Sequence, residues 1–229
     1  MIFRLPLAIA LLVSSSLALA DNGMQQYEVS VTNITKGQTF TPILAATHTD
    51  AVSLFTLGQP ASASLALLAE AGNTDALTAE MLSFPNEIGH VLTAPMLLHP
   101  GETRTFEISG HHNHHNLTIA AMLLPTNDTM VALTGVALPK KGSTSYLARA
   151  YDAGTEANDQ LCAHIPGPLC GGEAVSEASD TDEGYVYVSN GIHNIGDLDP
   201  ATYDWHNPVA LITIKAMHKN KGKKEEHKH

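Results

Sequence analysis

The sequence predicts an all-β protein, an antiparallel β-sandwich of about eight or nine strands with two short helices. Three observations carry this reading. Short runs alternate apolar with polar residues at period two, as where Tyr27, Val29 and Val31 interleave with Glu28, Ser30 and Thr32. Turn-forming residues punctuate the chain between such runs, for example Pro100-Gly101 and Pro139-Lys-Lys-Gly142. Only two stretches have helical spacing, and both are short.

Residues 1–20 read as an export signal. Arg4 supplies the positive start, residues 5–13 an apolar run, and Ala18-Leu-Ala20 the small-residue cleavage pattern ahead of Asp21. With Pro6 inside it, that run falls well short of the roughly 20 apolar residues that cross a bilayer. No later stretch is long enough, so the mature chain is expected to be exported, periplasmic or secreted, and not transmembrane. The sandwich domain is expected over residues 25–217, followed by a basic, His-containing, disordered tail at 218–229.

Within the domain, residues 27–32 form a half-buried strand, and residues 40–47, with little alternation, a strand buried on both faces. These two are expected to pair as a hairpin. Ser62 caps a helix whose apolar stripe is Leu65, Leu68 and Ala69 and which Gly72 stops; a second helix begins at Thr74, with Leu77 and Met81 four apart. Both are expected to cover an open end of the sheet. Further strands follow at 88–92, 104–109, 117–124, 131–138, 145–150, 185–189 and 209–217, with a loop over 191–205. Residues 154–182 lack periodicity, which in a compact domain marks a functional or mobile span.

The formal charge is −11, and near −12 once Arg4 is removed. That excludes nucleic acid as the main partner, which needs a basic face against the phosphates. Cys162 and Cys170 are the only cysteines and bracket Pro166-Gly-Pro168, so a disulfide closing that turn is expected in an exported chain. Asn-x-Ser/Thr sequons stand at Asn33, Asn116 and Asn127.

The chemistry concentrates where acid-bearing turns follow apolar strands. Asp152 and Glu156 flank Gly154, which permits a sharp turn, and Asp128 ends the neighbouring Pro125-Thr-Asn-Asp128 turn. Three carboxylates with no His or Cys between them suit a hard cation, calcium above zinc or copper. The same residues also serve as side-chain caps of turns. His111, His112, His114 and His115, in an expected solvated turn, and His48, His193 and His206, at strand ends, supply an alternative copper or zinc site. Enzyme signatures are missing: there is no Gly-x-Ser-x-Gly elbow, no His-Glu-x-x-His helix and no phosphate-binding glycine loop.

Seven motifs in order resemble the spondin domain: Phe40-Thr-Pro-Ile, Thr47-His, Leu57-Gly-Gln-Pro-Ala-Ser62, residues 122–128, Asp152-Ala-Gly-Thr-Glu156, Gly191-Ile-His and Asp204-Trp-His-Asn-Pro-Val-Ala210. The likeness is to bacterial exported members and, more distantly, to the domain of F-spondin in animal extracellular matrix. It implies a β-sandwich with loop-bound calcium, Asp128, Asp152 and Glu156 as ligands, and a role in contacting an unidentified protein, matrix or envelope component. Glu156 departs from the animal pattern, where aspartate is usual.

Overall fold

The computed structural model describes residues 23–217. The expected export signal and the basic tail both lie outside the described residues. The described residues form ten strands and three short α-helices: β1 (Met24–Asn33), β2 (Thr39–Phe40), β3 (Ile43–His48), α1 (Ala63–Ala71), α2 (Asp75–Leu82), β4 (Ile88–Ala94), β5 (Thr103–His111), β6 (Asn116–Leu124), β7 (Thr129–Ala137), β8 (Ser143–Asp152), β9 (Tyr187–Val188), α3 (Pro200–Tyr203) and β10 (Ala210–Ala216). Every pairing is antiparallel, in the order β4-β3-β6-β7-β8-β10-β1-β5, with β2 on β6 and β9 on β8.

One strand belongs to both sheets. Residues 143–148 of β8 pair with β10, and residues 149–152 pair with β7. At the opposite edges the Thr47 hydroxyl donates to the Ser109 carbonyl at 2.8 Å, and the Ser109 N–H donates to His90 Nδ1 at 3.1 Å. The sandwich is therefore nearly closed, with few free edges to pair with a second chain.

Burial explains which strands alternate. The interior between the sheets is filled by residues such as Val29, Val31, Phe40, Ile43, Leu117, Ile119, Leu123, Ile212 and Ile214. The outer face of the sheet holding β1, β5 and β10 is solvated and laced by hydroxyl pairs, Ser30 with Thr105 and Thr32 with Thr103. Hence β1 alternates. The outer face of the other sheet carries a second apolar layer, in which Leu44, Ala46, Ala120, Met130 and Ala132 meet Leu65, Leu68, Leu77 and Met81 of the helices. Hence β3 and β6 are buried throughout.

Helix α1 is bounded as its sequence dictates: the Ser62 side chain accepts from the Leu65 N–H, and Gly72 ends the helix in the left-handed region. Leu68 is fully buried against the sheet. Leu68→Ala is expected to cost about 2–5 kcal/mol in urea denaturation; a loss under about 1 kcal/mol would mean the helix is not packed there.

Three expectations need correcting. Strands β1 and β3 do not form a hairpin: β1 lies between β10 and β5, and β3 between β4 and β6, because each finds apolar partners distant in sequence. The helices cover the face of a sheet rather than an open end. The expected strand at 185–189 is only Tyr187–Val188, and the 191–205 loop contains α3. Cys162 and Cys170 do form the expected disulfide. The three sequon asparagines are buried, their side-chain amides donating to Gln38 and Leu98, to Asp50, and to Asp159 respectively. They are structural side chains.

Candidate metal centre

Strands β7 and β8 run side by side so that Thr129 pairs with Asp152, which sets Asp128 and Asp152 at the same end of the sandwich. Beyond Asp152 the chain must turn at once. Its Oδ1 accepts from the Gly154 N–H at 3.0 Å, and Gly154 takes φ +67°, a conformation that side chains disfavour. The turn then aims backbone donors at Asp128, whose Oδ2 accepts from the N–H groups of Thr155 at 2.7 Å and Glu156 at 3.1 Å. Asp128 Oδ1 is buried and has no partner.

Asp152 Oδ2 accepts from Asn158 Nδ2 at 2.9 Å. The same Asn158 nitrogen lies 3.1 Å from Glu183 Oε1 and 2.9 Å from the Tyr187 hydroxyl. Glu183 Oε2 is buried without a partner. Asp128, Asp152, Asn158, Glu183 and Tyr187 thus form one polar nest, with relative exposure of 0% at Asp128 and 1% at Asp152.

Burying like charges together raises their proton affinity. Burial, with the charges of Asp152 and Glu183 added, holds the Asp128 carboxyl well above the usual carboxylate range; the N–H groups of Thr155 and Glu156 oppose the shift. Asp152 is pushed up to about 6, chiefly by burial, with Asn158 and Gly154 opposing and Glu183 reinforcing. Burial and the surrounding carboxylates raise the Tyr187 phenol as well.

Glu156 faces elsewhere. Its carboxyl is buried, at 3% exposure, and neither oxygen has a partner in hydrogen-bonding geometry. Burial and the charge of Glu70 push it up to about 7, while Ser176 and His164 pull it back. It lines a cleft of about 200 Å³ with Asn127, Asp159, His164 and Ser176. Among the described residues, no three His, Cys, Asp or Glu side chains stand close enough as they are to share one ion. Carboxylate oxygens are the donor type a hard cation takes, and Asp128, Glu156 and Glu183 each carry buried ones with no partner.

The histidines fall into different places. His48 is buried, with Nδ1 2.7 Å from the Thr49 carbonyl and Nε2 2.8 Å from the Thr118 hydroxyl, so both ring nitrogens are engaged. Its titratable neighbours are Asp50, His114 and His115, whereas His193 and His206 are exposed elsewhere. In the 111–115 turn, His111 and His114 are half-buried, contrary to the expected solvated run, with ring centroids 6.2 Å apart. His115 sits 3.3 Å from Asp50.

A nearly closed β-sandwich with carboxylates gathered in the loops at one end is the class of protein that these features define. The chain belongs to the Spondin_N family, whose model matches residues 26–160. The match takes in Asp128, Asp152, Glu156 and Asn158 and stops before Glu183, Tyr187 and β10. No curated protein matches the chain. Among the described residues no helix is long and apolar enough to cross a membrane.

Glu183, Asn158 and Tyr187 escape the sequence reading. Glu183 is 31 positions beyond Asp152 across an irregular span, and no spacing marks it. The one available signal is the clean alternation at 185–189, which places Glu183 just ahead of a strand.

Proposed function

We propose that this protein is an exported calcium-binding module in which the ion is structural, tying loops at one end of the sandwich and so presenting a surface to a matrix, envelope or protein partner. The observation that carries this reading is the buried Asp128 carboxylate, with one oxygen unpartnered and Asp152 beside it. Two buried like charges repel until a cation neutralises them, and calcium takes oxygen ligands of this kind. Family membership and the disulfide, which favours an oxidising compartment, support the same reading.

The test is thermal unfolding of the mature chain with calcium and with chelator. A ligand at about 100 times its dissociation constant stabilises by about 2.7 kcal/mol, which in a domain of this size raises the Tm by about 5–10 °C. Asp152→Asn is expected to abolish the difference. Equal Tm values for the wild type in calcium and in chelator would overturn the proposal.

A further inference from the structure

The layer that carries α1 and α2 has fixed charge of one sign. Between Lys36 and Arg104 the sequence holds no lysine or arginine but six carboxylates, among them Asp50, Asp75, Glu80 and Glu87, and both helices lie inside this stretch. That face therefore attracts cations and is repelled by an anionic lipid surface.

A cleft of about 410 Å³ opens in the same layer, between the loop at 51–54, α2 and the start of β4. Its floor is apolar, made by Leu54, Leu77, Met81 and Ile88 of the outer layer. Phe84 lines it while 51% exposed, and Leu82, two residues earlier, is 60% exposed. Apolar side chains of this size left in water beside a cleft mark a contact surface, and the volume is that of pockets that enclose a small ligand or an anchoring side chain. Glu80 and Glu87 line the cleft too, and among the described residues no lysine, arginine or histidine does. Glu80 is held in place, its carboxylate accepting from the Ser64 hydroxyl in the first turn of α1.

The occupant must bring an apolar group and positive charge together. The basic tail at 218–229 brings the charge but has no aliphatic, phenyl or indole side chain. An anionic bilayer brings apolar chains with the wrong charge. A basic peptide segment with an apolar side chain brings both.

We propose that this cleft docks a basic segment of a partner protein, with one aliphatic or aromatic side chain seated over Met81 and Ile88 and flanking lysines or arginines meeting Glu80 and Glu87. The enclosed anchor supplies most of the affinity, and the rim charges set register and rate of encounter. His48 stands opposite both Ile88 and Asn116, so the cleft lies at the far end of β6 from Asp128. The assignment is thus independent of the calcium reading.

The experiment follows the fluorescence anisotropy of a set of labelled, capped hexapeptides at about 0.15 M salt. Each carries one leucine, isoleucine, phenylalanine or tryptophan among lysines and arginines. The mature chain is expected to bind at least one of them saturably, and the same peptide with glutamate in place of its cations at least about tenfold more weakly. Glu80→Gln combined with Glu87→Gln is expected to weaken binding at least about tenfold, as is Ala51→Trp, which fills the cleft from an exposed position. Glu102→Gln combined with Glu107→Gln removes the same charge from exposed positions on and beside β5, and is expected to stay within about threefold of the wild type. Equal losses in the two double variants would reduce the effect to net charge and overturn the proposal. So would full affinity in Ala51→Trp, no saturable binding by any peptide of the set, or adsorption to phosphatidylserine vesicles that Ala51→Trp abolishes. Tighter peptide binding in the tail variant Lys219→Gln, Lys221→Gln, Lys223→Gln, Lys224→Gln would make the tail the occupant and overturn it as well.

Discussion

Gly154→Ala is expected to destabilise the protein by more than about 3 kcal/mol, or by about 6–12 °C in Tm, the largest effect of any single substitution at the loop end. Two penalties add there. At φ +67° an alanine pays about 1–2 kcal/mol for the left-handed conformation. Its Cβ would also stand 2.3 Å from the Tyr185 oxygen and 2.7 Å from the Tyr185 nitrogen, both backbone atoms that no rotamer change can move. Gly142→Ala separates the two penalties. Gly142 has φ +68° and nothing within 4 Å of a Cβ, so that variant should lose only the conformational share. Chemical denaturation of both variants measures the difference, and equal losses would mean that the 154–185 contact is not held.

The second large effect is a reversal with pH. Asp152, raised to about 6, and Asp128, raised further, hold their protons more tightly when folded than in the unfolded chain, where an aspartate titrates near 3.9. In chelator they therefore favour the fold at low pH, and that contribution is lost as the pH rises from about 4 through about 6 and above. Calcium displaces the protons, so its stabilising effect should be large at pH 7.5 and fall at least tenfold in affinity by pH 5. His48, held neutral by burial and lowered in pKa, works in the opposite sense below about 6.5. Referring the wild type to Asp152→Asn cancels that contribution. In chelator Asp152→Asn should melt above the wild type at pH 7.5, and the gap should close by pH 5. A gap that is constant across this range would sink the claim that these buried carboxyls repel one another in the absence of metal.

Local features were readable without the structure, and long-range ones were not. The alternation of β1, the unbroken apolar run of β6 and the Ser62 and Gly72 boundaries of α1 are written within a few residues each. Burial of β3 on both faces was legible for the same reason. The partners of β1 were not, because its neighbours begin at Thr103 and Ala210 and nothing near β1 names them. The site divides in the same way. Asp128 and Asp152 stand next to apolar strands that announce their turns. Glu183 arrives through a span whose path depends on the disulfide and on the approach of Tyr185 to Gly154, and neither leaves a periodic trace. The surroundings of Glu156 were equally hidden, since the like charge beside it, Glu70, comes over from α1.

The double service of β8 carries one more consequence. Its first six residues stitch one layer and its last four stitch the other, so neither layer can peel away without stripping the second of a neighbour. A half-open molecule therefore has little to rest on, and melting should be all-or-none. The same arrangement makes Asp152 the terminal peg of the common rod, so that a grip on that one carboxylate is felt by the whole molecule.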